Sequence, residues 1–262
     1  DVEMMLCQAA TALDLNNRLV TVGGETIPFD GLVIATGAAA KEIPGTEGLE
    51  GVHTLRTVDD AIAIRARLVP QAAVIVVGAG FIGSEVAAAA ASRGCRTTII
   101  EAAPAPLMRG LGAEMGMACG SLHAVHGVEL RLGQGVAAIG GSGHVEYVEL
   151  NDGTRLDADL VVVGIGVSPN TEWLLGSGLT LDNGVVCDAT LNAGVPGVYA
   201  IGDVVRAPNG WIGPDPVRVE HWTAATEQAM LVAPNLLDPA NATAYESVPF
   251  VWSDQYDDRI QI

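Results

Sequence analysis

A glycine-rich fingerprint at residues 76–83, VVGAGFIG, constrains the fold of this chain more than any other stretch. The apolar run AVIVV at residues 73–77 predicts a buried strand, and SEVAAAAAS at residues 84–92 predicts a helix packed by small residues. Another strand is predicted at residues 95–100, directly before Glu101. Strand, glycine turn, helix and strand in this order are typical of a dinucleotide-binding unit.

Each glycine of the fingerprint has its own physical task. Gly78 permits the tight turn, Gly80 lets a pyrophosphate approach the backbone, and Gly83 allows the helix to pack closely on the strand. The free N–H groups at the helix amino terminus favour phosphate. Glu101 stands where a carboxylate accepts hydrogen bonds from the adenosine ribose, and no arginine follows it, which favours NAD over NADP. The alternative interpretation of Glu101 is a surface residue at a strand end.

The chain also repeats a pattern. ETIPFDGLVIATG at residues 25–37 is similar to TRLDADLVVVGIG at residues 154–166, and each follows short runs that predict a meander of strands. Both copies end in an apolar run suited to a buried parallel strand and in a glycine that lets a ligand approach the backbone. The expected fold class is therefore α/β, with two Rossmann-like three-layer (β-β-α) dinucleotide-binding domains, the first one incomplete.

Later segments resemble the superfamily of FAD-dependent pyridine nucleotide-disulfide oxidoreductases. GVYAIGD at residues 197–203 is similar to the second flavin motif of that superfamily, and VRVEHWTAATEQ at residues 217–228 is similar to the helix under the flavin. VPFVWSDQY at residues 248–256 resembles a segment typical of the NADH-dependent ferredoxin reductases that serve Rieske oxygenases and cytochromes P450. The resemblance covers essentially the whole chain.

The resemblance implies which residues contact the cofactors. The implied FAD contacts are Ala10, Thr36, Arg56, Asp203 and Trp222. The implied NAD contacts are Gly78, Gly80, Phe81, Ile82, Gly83, Glu85, Glu101 and Gly166. Glu85 resembles the glutamate that orients the nicotinamide carboxamide, although the helix dipole alone would also favour a carboxylate there. The alternatives are that Asp203 is only a turn residue and that Trp222 belongs to the core. The family usually has Asn where Ala224 stands.

The expected domain organisation follows the repeat. An FAD-binding domain comprises residues 1–69 and 168–248, an NAD-binding domain comprises residues 70–167, and residues 249–262 begin a C-terminal interface domain. Because only Asp1 precedes the first meander, we expect a piece of a longer protein, truncated at both ends, whose FAD-binding domain lacks its own fingerprint. Such a piece is expected to bind dinucleotide, to be isolated without FAD and to be inactive as a reductase.

For the intact protein the resemblance implies transfer of electrons from NADH through FAD to a [2Fe-2S] ferredoxin, with no protein nucleophile because the cofactor carries the chemistry. Two alternatives stay open. One is an NADH oxidase or peroxidase-like flavoenzyme of the same superfamily. The other is a non-catalytic NAD-dependent sensor resembling apoptosis-inducing factor. A homodimer is compatible with each of them.

Composition excludes several other classes. The formal net charge of −18 disfavours nucleic acid and anionic membranes as partners, and no apolar run reaches the roughly 18 residues that a membrane helix needs. The four cysteines lie far apart without a CxxC motif, which favours unpaired thiols in the cytoplasm over a redox dithiol or a metal site. His123 and His126 are spaced as a pair on a helix face rather than as metal ligands.

Overall fold

The computed structural model describes residues 2–262, so Asp1 lies outside the described residues. These residues divide into two compact units. Residues 2–39 and 168–251 form one, called here the first unit, and residues 40–167 and 252–262 form the other, called the fingerprint unit.

The secondary structure alternates short strands with a few helices. The elements of the amino-terminal half are β1 (Ala10–Asp14), β2 (Leu19–Val22), β3 (Glu25–Pro28), β4 (Leu32–Ile34), β5 (Ala38–Ala40), β6 (Val52–Thr54), α1 (Val58–Arg67), β7 (Ala73–Val77), α2 (Phe81–Ser92), β8 (Arg96–Glu101), α3 (Met108–Val125) and β9 (Glu129–Leu132). Those of the remainder are β10 (Val136–Gly140), β11 (Tyr147–Leu150), β12 (Arg155–Asp157), β13 (Leu160–Val163), β14 (Val167–Pro169), β15 (Val185–Val186), β16 (Asn192–Val195), β17 (Val198–Ala200), β18 (Val205–Asn209), β19 (Gly213–Val217), α4 (Trp222–Leu237), β20 (Trp252–Gln255) and β21 (Asp258–Gln261).

The fingerprint unit is built on a parallel sheet with the strand order β6-β13-β7-β8-β9. Its central strands β7 and β13 are apolar along their whole length and buried at every position, as expected when helices or strands cover both faces of a parallel sheet. Helix α2 presents small side chains to this sheet, among them Ala87 and Ala90, which are fully buried. The antiparallel meander β10-β11-β12 follows, where the second repeat predicted one.

The first unit contains the antiparallel meander β1-β2-β3, a sheet in the order β16-β17-β4 and a sheet in the order β15-β18-β19. Strand β4 runs parallel to β17, and Tyr199 of β17 is buried against the core. The Tyr199 hydroxyl donates to the Asn235 carbonyl of α4 at 3.0 Å, which ties the helix to the strand.

The α/β class is confirmed, and so are the elements around the fingerprint. The strand predicted at residues 73–77 has the predicted bounds, and the next strand is displaced by one residue. The helix begins at Phe81 rather than at residue 84, because residues 81–83 of the glycine motif already adopt the first helical turn.

The compact units divide the chain at other positions than the predicted domains, which stay a prediction. Residues 40–69, assigned to the FAD-binding domain, belong to the fingerprint unit because β6 pairs in parallel with β13. Residues 252–262 also belong to that unit, because the β20–β21 hairpin packs on α2. The ligand assigned to each unit stays a prediction. No helix within residues 2–262 has both the length and the apolar character needed to cross a membrane.

Candidate dinucleotide-binding sites

The glycines of the fingerprint occupy three different environments. Gly78 has φ +101°, and an added Cβ would lie 2.5 Å from the carbonyl oxygen of Gly164. A Cβ on Gly83 would lie 1.9 Å from the carbonyl oxygen of Gly78, so this glycine sets how closely α2 approaches β7. A Cβ on Gly80, the residue preceding α2, would meet no atom within 4 Å. The backbone at Gly80 is therefore open to an approaching ligand, at a helix end that favours phosphate.

Glu101 at the end of β8 is bound to the glycine turn. One of its carboxylate oxygens accepts a hydrogen bond from the N–H of Ala79 at 2.7 Å, and the other accepts from the N–H of Ala103 at 2.7 Å. Each carboxylate oxygen has a second lone pair, so both can still accept from a ribose hydroxyl. The sequence did not indicate the contact with Ala79, through which Glu101 holds the turn after β7.

Glu85 lies on α2 beyond the glycine turn, where it contacts a residue of β20. Its Oε1 accepts from the hydroxyl of Ser253 at 2.7 Å, and the amide of Gln255 donates to that hydroxyl at 3.1 Å. Burial of the carboxylate end raises the pKa of Glu85, while the bond from Ser253 opposes that shift. The only signal in the sequence was the alternation of Ser253 and Gln255 within the VPFVWSDQY segment, which places both on one face of a strand.

The closing strand of the fingerprint unit brings Gly166 close to helix α3. Gly166 has φ +103°, and an added Cβ would lie 3.3 Å from a guanidinium nitrogen of Arg109. Gly110 approaches the ring of Phe81, which is half-buried, whereas Ile82 is exposed. Arg109 carried no signal in the sequence, because its approach to Gly166 depends on how α3 packs.

Two of the residues predicted to contact FAD follow neighbouring parallel strands of the first unit. Thr36 comes after β4 and Asp203 comes after β17, so both lie at the same edge of the sheet. The Thr36 hydroxyl donates to the carbonyl of Asn170 at 3.0 Å, and the Asn170 amide donates to the carbonyl of Thr36 at 2.8 Å. Beside Asp203, the N–H of Gly202 donates to Gln228 of α4 at 2.7 Å.

The other three predicted FAD contacts are more dispersed. Trp222 is the first residue of α4 and is 75% exposed, so the alternative that it belongs to the core is wrong. Ala10 begins β1, in a different sheet from Thr36 and Asp203. Arg56 lies in the fingerprint unit, where its N–H donates to the Asp60 carboxylate at 2.9 Å.

The family model for pyridine nucleotide-disulphide oxidoreductases matches residues 1–229. The chain belongs to this family. The glycine turn, the parallel sheet and the carboxylate after β8 therefore all lie within the matched residues.

Individual members of the family are similar over most of the chain. Rhodocoxin reductase of Rhodococcus erythropolis is 39% identical over 249 residues, which are 94% of this chain and 57% of that protein. The ferredoxin–NAD(+) reductase component of the anthranilate 1,2-dioxygenase system of Burkholderia cepacia is 39% identical over 243 residues, 91% of this chain and 58% of that protein. A crystal structure of the covalent complex of putidaredoxin reductase and putidaredoxin matches with a TM-score of 0.91 and 33% identity, over 97% of this chain and 62% of that chain.

The chain thus spans less than two thirds of the length of each of these relatives. Cys7, Cys95, Cys119 and Cys187 are all free thiols. In the part of the chain that the structure describes, no three His, Cys, Asp or Glu side chains are grouped so as to hold a metal ion.

Proposed function

We propose that this chain is part of a flavin-dependent oxidoreductase that passes electrons from NADH through FAD to a [2Fe-2S] ferredoxin. The observation that carries the proposal is the similarity, over more than nine tenths of the chain, to proteins named as rhodocoxin reductase and as a ferredoxin–NAD(+) reductase component. The VPFVWSDQY segment, which resembles NADH-dependent ferredoxin reductases, supports the same partner.

The fingerprint unit fits NADH. The pyrophosphate would bind at the open backbone of Gly80, at the amino terminus of α2, where N–H groups and the helix dipole favour negative charge. Glu101 would accept from the adenosine ribose, and its charge would repel the 2′-phosphate of NADPH. Glu85 would meet the nicotinamide end of the cofactor, because it lies on α2 beyond the pyrophosphate glycines.

The first unit fits part of FAD. Gly37 and Gly202 both have positive φ, +66° and +72°, after the neighbouring parallel strands β4 and β17. Ligands of open α/β sheets bind at the carboxyl ends of such strands, and Thr36 and Asp203 supply polar groups there. FAD, when bound, supplies the chemistry of accepting a hydride and releasing single electrons. The chain's own residues would bind and orient it.

The proposal includes a cytoplasmic location. It is supported by the free thiols at Cys7, Cys95, Cys119 and Cys187, since thiols stay reduced in that compartment.

The test is a steady-state assay of the intact protein with NADH, a [2Fe-2S] ferredoxin and cytochrome c as the final acceptor. We expect cytochrome c reduction that depends on the ferredoxin, and NADH consumption that is slow when oxygen is the only acceptor. Rapid oxygen-dependent NADH consumption without ferredoxin would favour the oxidase alternative. Slow flavin reduction in stopped flow, with no ferredoxin-dependent turnover, would favour the sensor.

A further inference from the structure

A line of hydrogen bonds within the fingerprint unit runs from the β20–β21 hairpin to helix α2. The Gln255 amide nitrogen donates to the Ser253 hydroxyl at 3.1 Å, and that hydroxyl donates to the Glu85 carboxylate at 2.7 Å. Ser253 and Gln255 are both 0% exposed, whereas Glu85 is on the exposed side of α2. The line therefore begins in the interior of the unit and ends at the partly buried carboxylate of Glu85.

The direction of these bonds fixes the role of Glu85. An amide nitrogen can only donate, so the Ser253 oxygen accepts from Gln255 and its own proton goes to Glu85. The N–H of Asp254 also stabilises the Glu85 carboxylate. With donors arriving from the hairpin, Glu85 is held as an acceptor, and its remaining lone pairs are available to a donor on a ligand.

The hairpin that carries Ser253 is anchored at its turn, where Tyr256 follows β20. The Tyr256 hydroxyl and Nδ1 of His123 are 2.7 Å apart, and the Tyr256 ring stacks on His126 with 3.8 Å between ring centroids. Tyr256 also packs against the hydrophobic core under α2. A side chain held on such a strand defines the position of a bound partner more closely than one on a free loop.

Packing alone does not account for this pair of polar residues. The Oε1 atom of Gln255 is buried and has no hydrogen-bond partner. An unpaired buried acceptor is unfavourable, and an apolar residue of the same shape would avoid that cost. The Gln255 amide nitrogen does, however, donate to the Ser253 hydroxyl, and this bond orients that hydroxyl toward Glu85.

We infer that Ser253, with Gln255 behind it, is the positioning residue that holds Glu85 as an acceptor for the N–H₂ group of the nicotinamide carboxamide. The site then selects a pyridine carboxamide over a pyridine carboxylate, because an amide donates to the Glu85 carboxylate and a carboxylate is repelled by it. This inference rests on the proposed function, since it assumes that nicotinamide lies beside Glu85.

The test is calorimetric titration of the 262-residue chain with three probes: NAD⁺, nicotinic acid adenine dinucleotide and ADP-ribose. NAD⁺ should bind more tightly than the nicotinic acid analogue, and Ser253→Ala should reduce that preference about tenfold, the scale of one hydrogen bond to a charged group. Affinity for ADP-ribose, which lacks the pyridine, should stay unchanged in every variant. ADP-ribose binding therefore also reports whether each variant is folded.

Two further variants make the test decisive. Ser92→Ala on the same helix removes only a local bond from its hydroxyl to the Ala89 carbonyl, so the preference for NAD⁺ should stay as in the parent chain. Gln255→Met keeps the side-chain shape and removes the unpaired oxygen, so it should fold normally and still lower the preference. If Ser253→Ala fails to bind ADP-ribose because it does not fold, the result for Gln255→Met decides.

The outcomes distinguish a failure of the proposed function from a failure of the positioning role of Ser253. If the parent chain does not prefer NAD⁺, or if Glu85→Ala leaves the preference intact, nicotinamide does not lie at Glu85 and that part of the proposed function is wrong. If Glu85→Ala removes the preference while Ser253→Ala and Gln255→Met retain it, the positioning role is wrong and the proposed function stands. Loss of the preference in all three supports the inference.

Discussion

Two alanine substitutions three residues apart should separate the binding role of the fingerprint from its packing role. Gly80→Ala adds a methyl group that meets no protein atom within 4 Å, at an ordinary φ of −76°. The structural cost is confined to the helix cap, where glycine is preferred over alanine by up to about 1 kcal/mol. The methyl group would, however, occupy the space in which a pyrophosphate approaches the backbone. We therefore expect near-normal stability and at least a tenfold loss of NADH affinity, about 1.4 kcal/mol.

Gly83→Ala should do the opposite. Its Cβ would lie 1.9 Å from the backbone oxygen of Gly78, well inside contact distance, and backbone cannot rotate away as a side chain can. Overpacking of this kind costs about 1–3 kcal/mol or more, and the better helix propensity of alanine returns only about 1 kcal/mol. Since α2 must shift as a whole on β7, we expect a net loss of about 2 kcal/mol in the free energy of unfolding, the larger overpacking cost less the propensity gain.

The assay is urea unfolding of each variant, followed by NADH titration under native conditions. The expected pattern is a stable Gly80→Ala chain that binds weakly and a Gly83→Ala chain with a lower unfolding midpoint. Unchanged NADH affinity in Gly80→Ala would refute the assignment of the open backbone to the pyrophosphate. Unchanged stability in Gly83→Ala would refute the close packing of α2 on the strand.

Three other predictions follow from the fingerprint unit. The chain should bind NADH more tightly than NADPH in equilibrium titration, and Glu101→Ala should weaken NADH binding about tenfold to a hundredfold, because a charged acceptor is lost. In the intact protein, Glu85→Ala should slow flavin reduction in stopped flow more than it weakens NAD binding. Burial lowers the pKa of His123 to about 4, below its ordinary value of 6.5. Between these two pH values the unfolded chain therefore binds more protons at His123 than the folded chain does. The free energy of unfolding should for this reason fall by roughly 2–3 kcal/mol as the pH drops from 6.5 to 4. Replacing His123 with Gln should flatten the pH dependence measured by urea unfolding.

Each of these three predictions can be contradicted by its own measurement. Tighter binding of NADPH would show that Glu101 does not face the ribose. An unchanged rate of flavin reduction in Glu85→Ala would remove that residue from the nicotinamide site. Stability that is constant between pH 6.5 and 4 would mean that His123 accepts a proton in the folded protein.

The fingerprint and its secondary structure could be predicted from the sequence because their causes are local. At Gly78 and Gly83 a Cβ would lie 2.5 Å or less from a backbone oxygen, and at Gly80 it would cover a backbone that is otherwise open, so residue type and spacing identified all three. The continuous apolar runs of β7 and β13 likewise indicated strands buried on both faces.

What the sequence could not determine are the partners that folding brings together over long distances. Strand β6 has three residues, which are too few to specify a partner. It pairs with β13, more than a hundred residues later in the chain. Because of this pairing, residues 40–69, including Arg56, belong to the fingerprint unit. The bond between Ser253 and Glu85 joins residues 168 positions apart. Periodicity states which face of an element is buried but not against what, so these contacts were decided only by the packing of the hairpin on α2.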